Sequence, residues 1–150
     1  MQPRRPLLAI LIAWLLTFTI SIALAVVARM LLPGAEPPEF KIAGPFALFM
    51  LVVFAPMVET LIMGAALLLL TAVFRRELAV VLSALGWAAA HSAMAPVWGL
   101  VIWWPFLIFS VLFVTWRQRS LALAFVVPAA AHLLQNLMPA LVIAFGGAQA

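Results

Sequence analysis

The chain has 150 residues, 69% of them hydrophobic and 8% charged, with a mean hydropathy of +1.29. A soluble domain covers itself with about a quarter charged residues, so this balance excludes one and calls for a lipid-facing exterior. The net charge of +4 comes from 8 basic and 4 acidic residues, the basic ones largely paired between apolar runs. That is a topology pattern and not a nucleic-acid-binding one, and the absence of cysteine excludes disulfides, thiol catalysis and cysteine-based zinc sites.

Five apolar runs follow in chain order: residues 7–28, 46–74 (interrupted only by Glu59), 78–95, 99–116 and Leu121–Phe145. Each reaches or approaches the ~20 residues that cross a ~30 Å hydrocarbon layer as helix. The second is too long for one perpendicular crossing and is expected to tilt or to bend at Pro56. Residues 30–44 form the one real loop, with Pro33, Gly34, Pro37 and Pro38 as helix breakers and no apolar anchor expected between 33 and 38. The turns at 75–77 and 117–119 are short and polar, and Pro96 with Gly99 marks the remaining one. The expectation is a single all-α domain over residues 1–150, a polytopic transmembrane bundle of about five helices. Arg4 and Arg5 before an apolar run, with Ala23-Leu24-Ala25 inside it, resemble a signal peptide. The run is far longer than the ~7–15 residues of a signal h-region, so it is read as a retained helix.

Arg4, Arg5, Arg75, Arg76, Arg117 and Arg119 fall on one side of such a bundle, Arg29 and Lys41 on the other. The excess places the N-terminus in the cytoplasm and the C-terminus outside, in a prokaryotic cell (inner) membrane. Charge in hydrocarbon is costly, so intramembrane ionisable residues are functional candidates. There are three: Glu59, His91 and His132, with Asn136 one turn after His132 on the same face. At about 1.5 Å of rise per residue, Glu59 lies about 24 Å from Arg75, His91 about 22 Å from Arg76 and His132 about 20 Å from Arg119. Four polar side chains on three helices thus reach a similar depth. A carboxylate and two imidazoles can activate a water molecule, with the Asn136 amide donating to an oxyanion. The same set can hold a divalent metal such as zinc. Either route points to hydrolysis.

Three segments carry a resemblance. Pro56-Met57-Val58-Glu59-Thr60, followed by Gly64, resembles the first motif of the CAAX protease and bacteriocin-processing (CPBP, or Abi) family of intramembrane proteases, usually Glu-Glu-x-x-x-Arg. Trp87-Ala88-Ala89-Ala90-His91 resembles the second, Phe-x-x-x-His, and His132-Leu133-Leu134-Gln135-Asn136 the third, His-x-x-x-Asn. The resemblance covers residues 45–139, within a motif-bearing core of about 45–145. It implies an endopeptidase that cleaves a membrane-bound or hydrophobic peptide or protein. Glu59 would activate water, His91 would help to hold it, and His132 with Asn136 would complete an oxyanion site. Family members are often labelled metalloproteases, but a metal-free glutamate mechanism is implied by well-studied relatives. It is followed here because adjacent zinc ligands on one helix are absent. No cofactor and no nucleic acid is expected.

Two positions depart from the family pattern: Thr60 stands for the second glutamate and Gly64 for the arginine. Losing both together avoids a lone buried charge. Other readings stay open: a non-catalytic relative acting in peptide immunity or membrane-protein assembly, and a bis-histidine haem protein using His91 and His132. In the plainest reading, Glu59 is a neutral buried acid and the histidines are interhelical packing groups. The tryptophans then serve as interfacial anchors and packing residues. Thr17, Thr19 and Ser21 are expected to be satisfied by their own helix, Met57, Met63 and Met94 to lie in the core, and Gly64-Ala65-Ala66 to mark close helix approach.

Overall fold

The structure is a computed structural model and describes residues 4–146, which are helical apart from short connections and contain no strand. Helix α1 is Pro6–Leu31. Helix α2 (Gly44–Phe49), a π-helical turn (Met50–Phe54) and α3 (Ala55–Val73) run on as one rod. Helices α4 (Arg76–Ser92), α5 (Trp98–Trp116) and α6 (Leu121–Phe145) complete the bundle. Proline opens α1 and α2, where its missing N–H costs nothing. Gly44, with a φ of 66°, turns the loop into α2. At the start of α6 the Ser120 hydroxyl caps the Leu123 N–H at 3.1 Å.

Among the described residues, four spans are long and apolar enough to cross a membrane: Pro6–Leu31, Gly44–Val73, Trp98–Trp116 and Leu121–Phe145. The helix expected over 78–95 instead starts at Arg76 and stops at Ser92, only 17 residues. That is about 25 Å of rise, slightly short of a hydrocarbon layer. Pro96 disfavours helical backbone at Ala95 and so shortens it. Gly99 then lets α5 start hard against α4. A Cβ there would meet Ser92 Oγ and the Ala88 carbonyl oxygen, closer than any side chain can sit.

The second span does not break at Pro56. Its irregularity is the preceding π turn, where the Ala55 N–H reaches back to the Met50 carbonyl. In that register the Leu51 carbonyl should receive the N–H of residue 56, and proline has none. A carbonyl inside the membrane must then find a donor elsewhere.

The core runs along the seam of α3, α5 and α6, with Met63, Leu67, Phe106, Phe109, Phe113 and Ala131 buried. Large apolar side chains such as Leu15, Val26, Leu61, Leu85, Val111 and Val142 point outward, as expected of a surface solvated by lipid. Helix α1 docks through polar contacts: Trp104 Nε1–H donates to the Leu16 carbonyl at 3.2 Å, and Thr17 Oγ1 lies 2.7 Å from Gln135 Oε1. Thr17 also reaches its own helix at the Trp14 carbonyl, as expected. Ser21, expected to do likewise, has a buried Oγ with no hydrogen-bond partner. Met63 is core, but Met57, at the α3–α6 groove, and Met94, in the turn after α4, are exposed. At one end of the bundle Arg117 Nη1 donates to Thr71 Oγ1 at 2.8 Å, which brings the basic turn after α5 against the last turns of α3.

Candidate functional site

Helices α3 and α6 run antiparallel, and three contacts fix their register. Gly64 faces Phe125, Thr60 meets His132, and Leu51 meets Asn136. The first depends on an absent side chain. A Cβ on Gly64 would overlap the Phe125 ring of α6 and the Phe113 ring of α5, which stack edge-to-face at 5.0 Å. No arginine could occupy this position without displacing both rings. The close approach expected at Gly64 is therefore one of aromatic rings onto helix backbone.

One turn away, His132 is 3% exposed and has a partner on each ring nitrogen. Its Nε2 lies 3.5 Å from Glu59 Oε2, and its Nδ1 lies 3.3 Å from Thr60 Oγ1. These distances describe one consistent chain, in which the Thr60 hydroxyl donates to Nδ1 and Nε2–H points at the carboxylate. Phe106 and Phe109 wall the imidazole, at centroid distances of 5.4 and 4.7 Å. The Glu59 side chain is 25% exposed, so its carboxylate is open to an approaching molecule while its histidine is not.

His91, at the end of α4, packs against the same Phe106 ring as His132, 5.6 Å from it by centroids. Its Nδ1–H donates to the Trp87 carbonyl at 2.8 Å, one turn back on the same helix. The neutral ring therefore presents Nε2 as an acceptor. Trp87 stacks on Phe106 at 4.4 Å, and Trp98 meets His91 edge-on at 4.7 Å. Phe40 in turn packs edge-on against Trp98 at 5.6 Å. The 30–44 loop is thus anchored above His91 by a residue just outside its proline-rich stretch.

Asn136 does not face Glu59 through a hydrogen bond. Its Nδ2 donates to the Leu51 carbonyl at 3.0 Å, the group left without a donor by Pro56. Glu59 and His132 are thus brought into direct contact, His91 joins them through a shared contact with Phe106, and Asn136 spends an N–H on the π turn. Sequence reasoning missed Gln135, Phe106, Trp98 and the partnership of Thr60. Gln135 was visible as a second amide beside Asn136, while the aromatic contacts are not a matter of spacing.

Between α3 and α6 a groove of about 300 Å³, lined by Met57, Thr60, Leu61, Phe125, Ala129 and Leu133 among others, brings apolar surface to the Thr60 side chain. Among the described residues, no three of His, Cys, Asp and Glu gather as a metal would require, and both nitrogens of His132 are engaged. The residues do not fit a zinc site. Comparison with protein-family models, with curated proteins and with solved structures finds no match.

Proposed function

We propose that this chain is an intramembrane endopeptidase of the CAAX-protease-like type, in which Glu59 activates a water molecule against a membrane-associated peptide or protein. The observation that carries the reading is the Glu59–His132–Thr60 chain: a half-buried carboxylate coupled at 3.5 Å to an imidazole whose far nitrogen is held by a hydroxyl. A general base needs an accessible oxygen and a fixed orientation, and this arrangement supplies both. Glu59 takes the proton of water as its oxygen attacks the scissile carbonyl and returns it to the departing amine nitrogen as the C–N bond breaks, while His132 steadies the carboxylate before and after the transfer. His91, with Nε2 free to accept, holds the second hydrogen of that water. Asn136 has one N–H left for the oxyanion, so its share is smaller than the resemblance implies. Thr60 takes up the orienting duty that a second acid would otherwise have.

The proposal includes orientation. Arg75, Arg76, Arg117 and Arg119 share the end marked by the Arg117–Thr71 contact, and the basic excess assigns that end and the N-terminus to the cytoplasm of a prokaryotic cell. A reporter fused after Ala150 should be active outside. The principal test of function is Glu59→Gln at normal expression, read as accumulation of an uncleaved membrane protein. Continued processing would overturn the reading.

A second reading, a non-catalytic relative that binds a membrane partner in peptide immunity or assembly, is favoured by one observation. Asn136 is committed to the Leu51 carbonyl, a structural task that needs no catalysis. The haem reading loses ground for a similar reason, because His132 has no ring nitrogen free for iron.

A further inference from the structure

The basic end of the bundle carries a second cleft, of about 380 Å³, where α3 ends, α4 begins and α5 ends. It is lined by Thr71, Arg76, Val114, Arg117 and Gln118. Paired arginines at a helix end are ordinarily topology signals that point into water. Three features set these apart.

First, Arg117 is held in place. The Thr71 hydroxyl donates to the Leu67 carbonyl and is then free to accept from Arg117 Nη1 at 2.8 Å. The guanidinium keeps its other N–H groups for a ligand. Second, neither Arg76 nor Arg117 forms an ion pair with any described residue. The nearest acid in sequence, Glu77, does not line the cleft. Two cations thus share one concave site with no counter-charge among the described residues. Third, one turn below Val114 of the lining, the α5 residue Val111 is apolar and faces outward. A charged rim over an apolar flank fits a ligand with a phosphate at one end and hydrocarbon at the other. Guanidinium forks bind phosphate oxygens in pairs, and basic pockets between membrane helices bind anionic lipid headgroups.

We propose that this cleft binds the phosphodiester of an anionic membrane phospholipid, with its acyl chains along the Val111 flank of α5. The site is separate from Glu59 and does not depend on the catalytic reading.

The test is native mass spectrometry of the full chain, delipidated in detergent and titrated with phosphatidylglycerol, with phosphatidylcholine, and with inorganic phosphate as competitor. The parent should retain phosphatidylglycerol in preference to phosphatidylcholine. Each neutralised arginine should weaken phosphatidylglycerol binding by about fivefold, so Arg76→Gln with Arg117→Gln together should lose more than about tenfold. Arg117→Lys keeps the charge without the fork and should lose part of this, which covers the case in which the double variant does not fold. Arg75→Gln removes an equal charge from outside the cleft lining and should change binding less than about twofold. Equal retention of the two lipids would overturn the proposal. So would an equal loss in Arg75→Gln, which would mean diffuse attraction without a site. Displacement of the lipid by millimolar inorganic phosphate would overturn the lipid as the ligand.

Discussion

Thr60 Oγ1 lies 3.3 Å from His132 Nδ1, and the residue before it, Glu59, reaches the opposite nitrogen of the same ring. Consecutive side chains on a helix point about 100° apart, so one imidazole can bridge them only by lying in the seam between α3 and α6. The threonine decides which nitrogen faces the acid. Thr60→Val keeps the shape and removes the hydroxyl. It should leave the ring free to exchange tautomers, visible as a mixed signal in nitrogen NMR of the labelled histidine. Processing should fall by about tenfold, the worth of one neutral hydrogen bond at a working site. Thr60→Ser should restore both. A single unchanged tautomer in the valine variant would remove Thr60 from the site.

Asn136 and Pro56 are coupled through the Leu51 carbonyl. Asn136→Ala strands that carbonyl inside the membrane and should cost about 1–3 kcal/mol of stability. Pro56→Ala supplies a backbone N–H that can close onto Leu51 without the side chain. In that background Asn136→Ala should cost at least about 1 kcal/mol less, as a double-mutant cycle of unfolding in mixed micelles would measure. Additive costs would show that the amide acts elsewhere.

Gly64 is a packing position. Gly64→Ala should destabilise the bundle by about 1–3 kcal/mol through overlap with Phe125 and Phe113. Phe125→Leu should relieve most of that cost in the same unfolding assay. A neutral Gly64→Ala would mean that the rings move aside freely.

The loop divides at Phe40. Replacing residues 33–38 by a flexible linker of equal length should leave unfolding unchanged, because those residues carry no packed aromatic. Phe40→Ala should cost about 1 kcal/mol and loosen Trp98 over His91. The reverse ranking would place the anchor in the proline-rich stretch.

Much of this was legible in the sequence because hydrocarbon is an unforgiving solvent. Apolar runs between arginine pairs gave the helices to within a few residues, and in so apolar a chain Glu59, His91 and His132 stood out as polar groups needing a reason. Their common depth followed from rise per residue alone. Which ones touch did not follow, because rotation about each helix axis is set by packing. Phe106, which both His91 and His132 contact, is one of 11 phenylalanines with nothing local to mark it. Nor was the π turn legible. Pro56 signalled trouble in the helix, but the remedy came from Asn136, 80 residues later. The shortness of α4 was partly visible in Pro96, whose effect on Ala95 ends the helix before the apolar run does.

The most direct test of the central claim is Glu59→Gln, made in the chromosomal copy and followed by quantitative proteomics of the membrane fraction. The amide keeps the shape of the side chain and can still meet His132, so the variant should fold and accumulate like the parent. It cannot take a proton from water, so processing should fall by about 10²–10⁴ and an uncleaved membrane protein should accumulate. His132→Ala and His91→Ala should lose activity too, and add little to Glu59→Gln, since the groups act as a unit. An unchanged membrane proteome in a strain carrying stable Glu59→Gln would contradict the account and leave a non-catalytic membrane partner in its place.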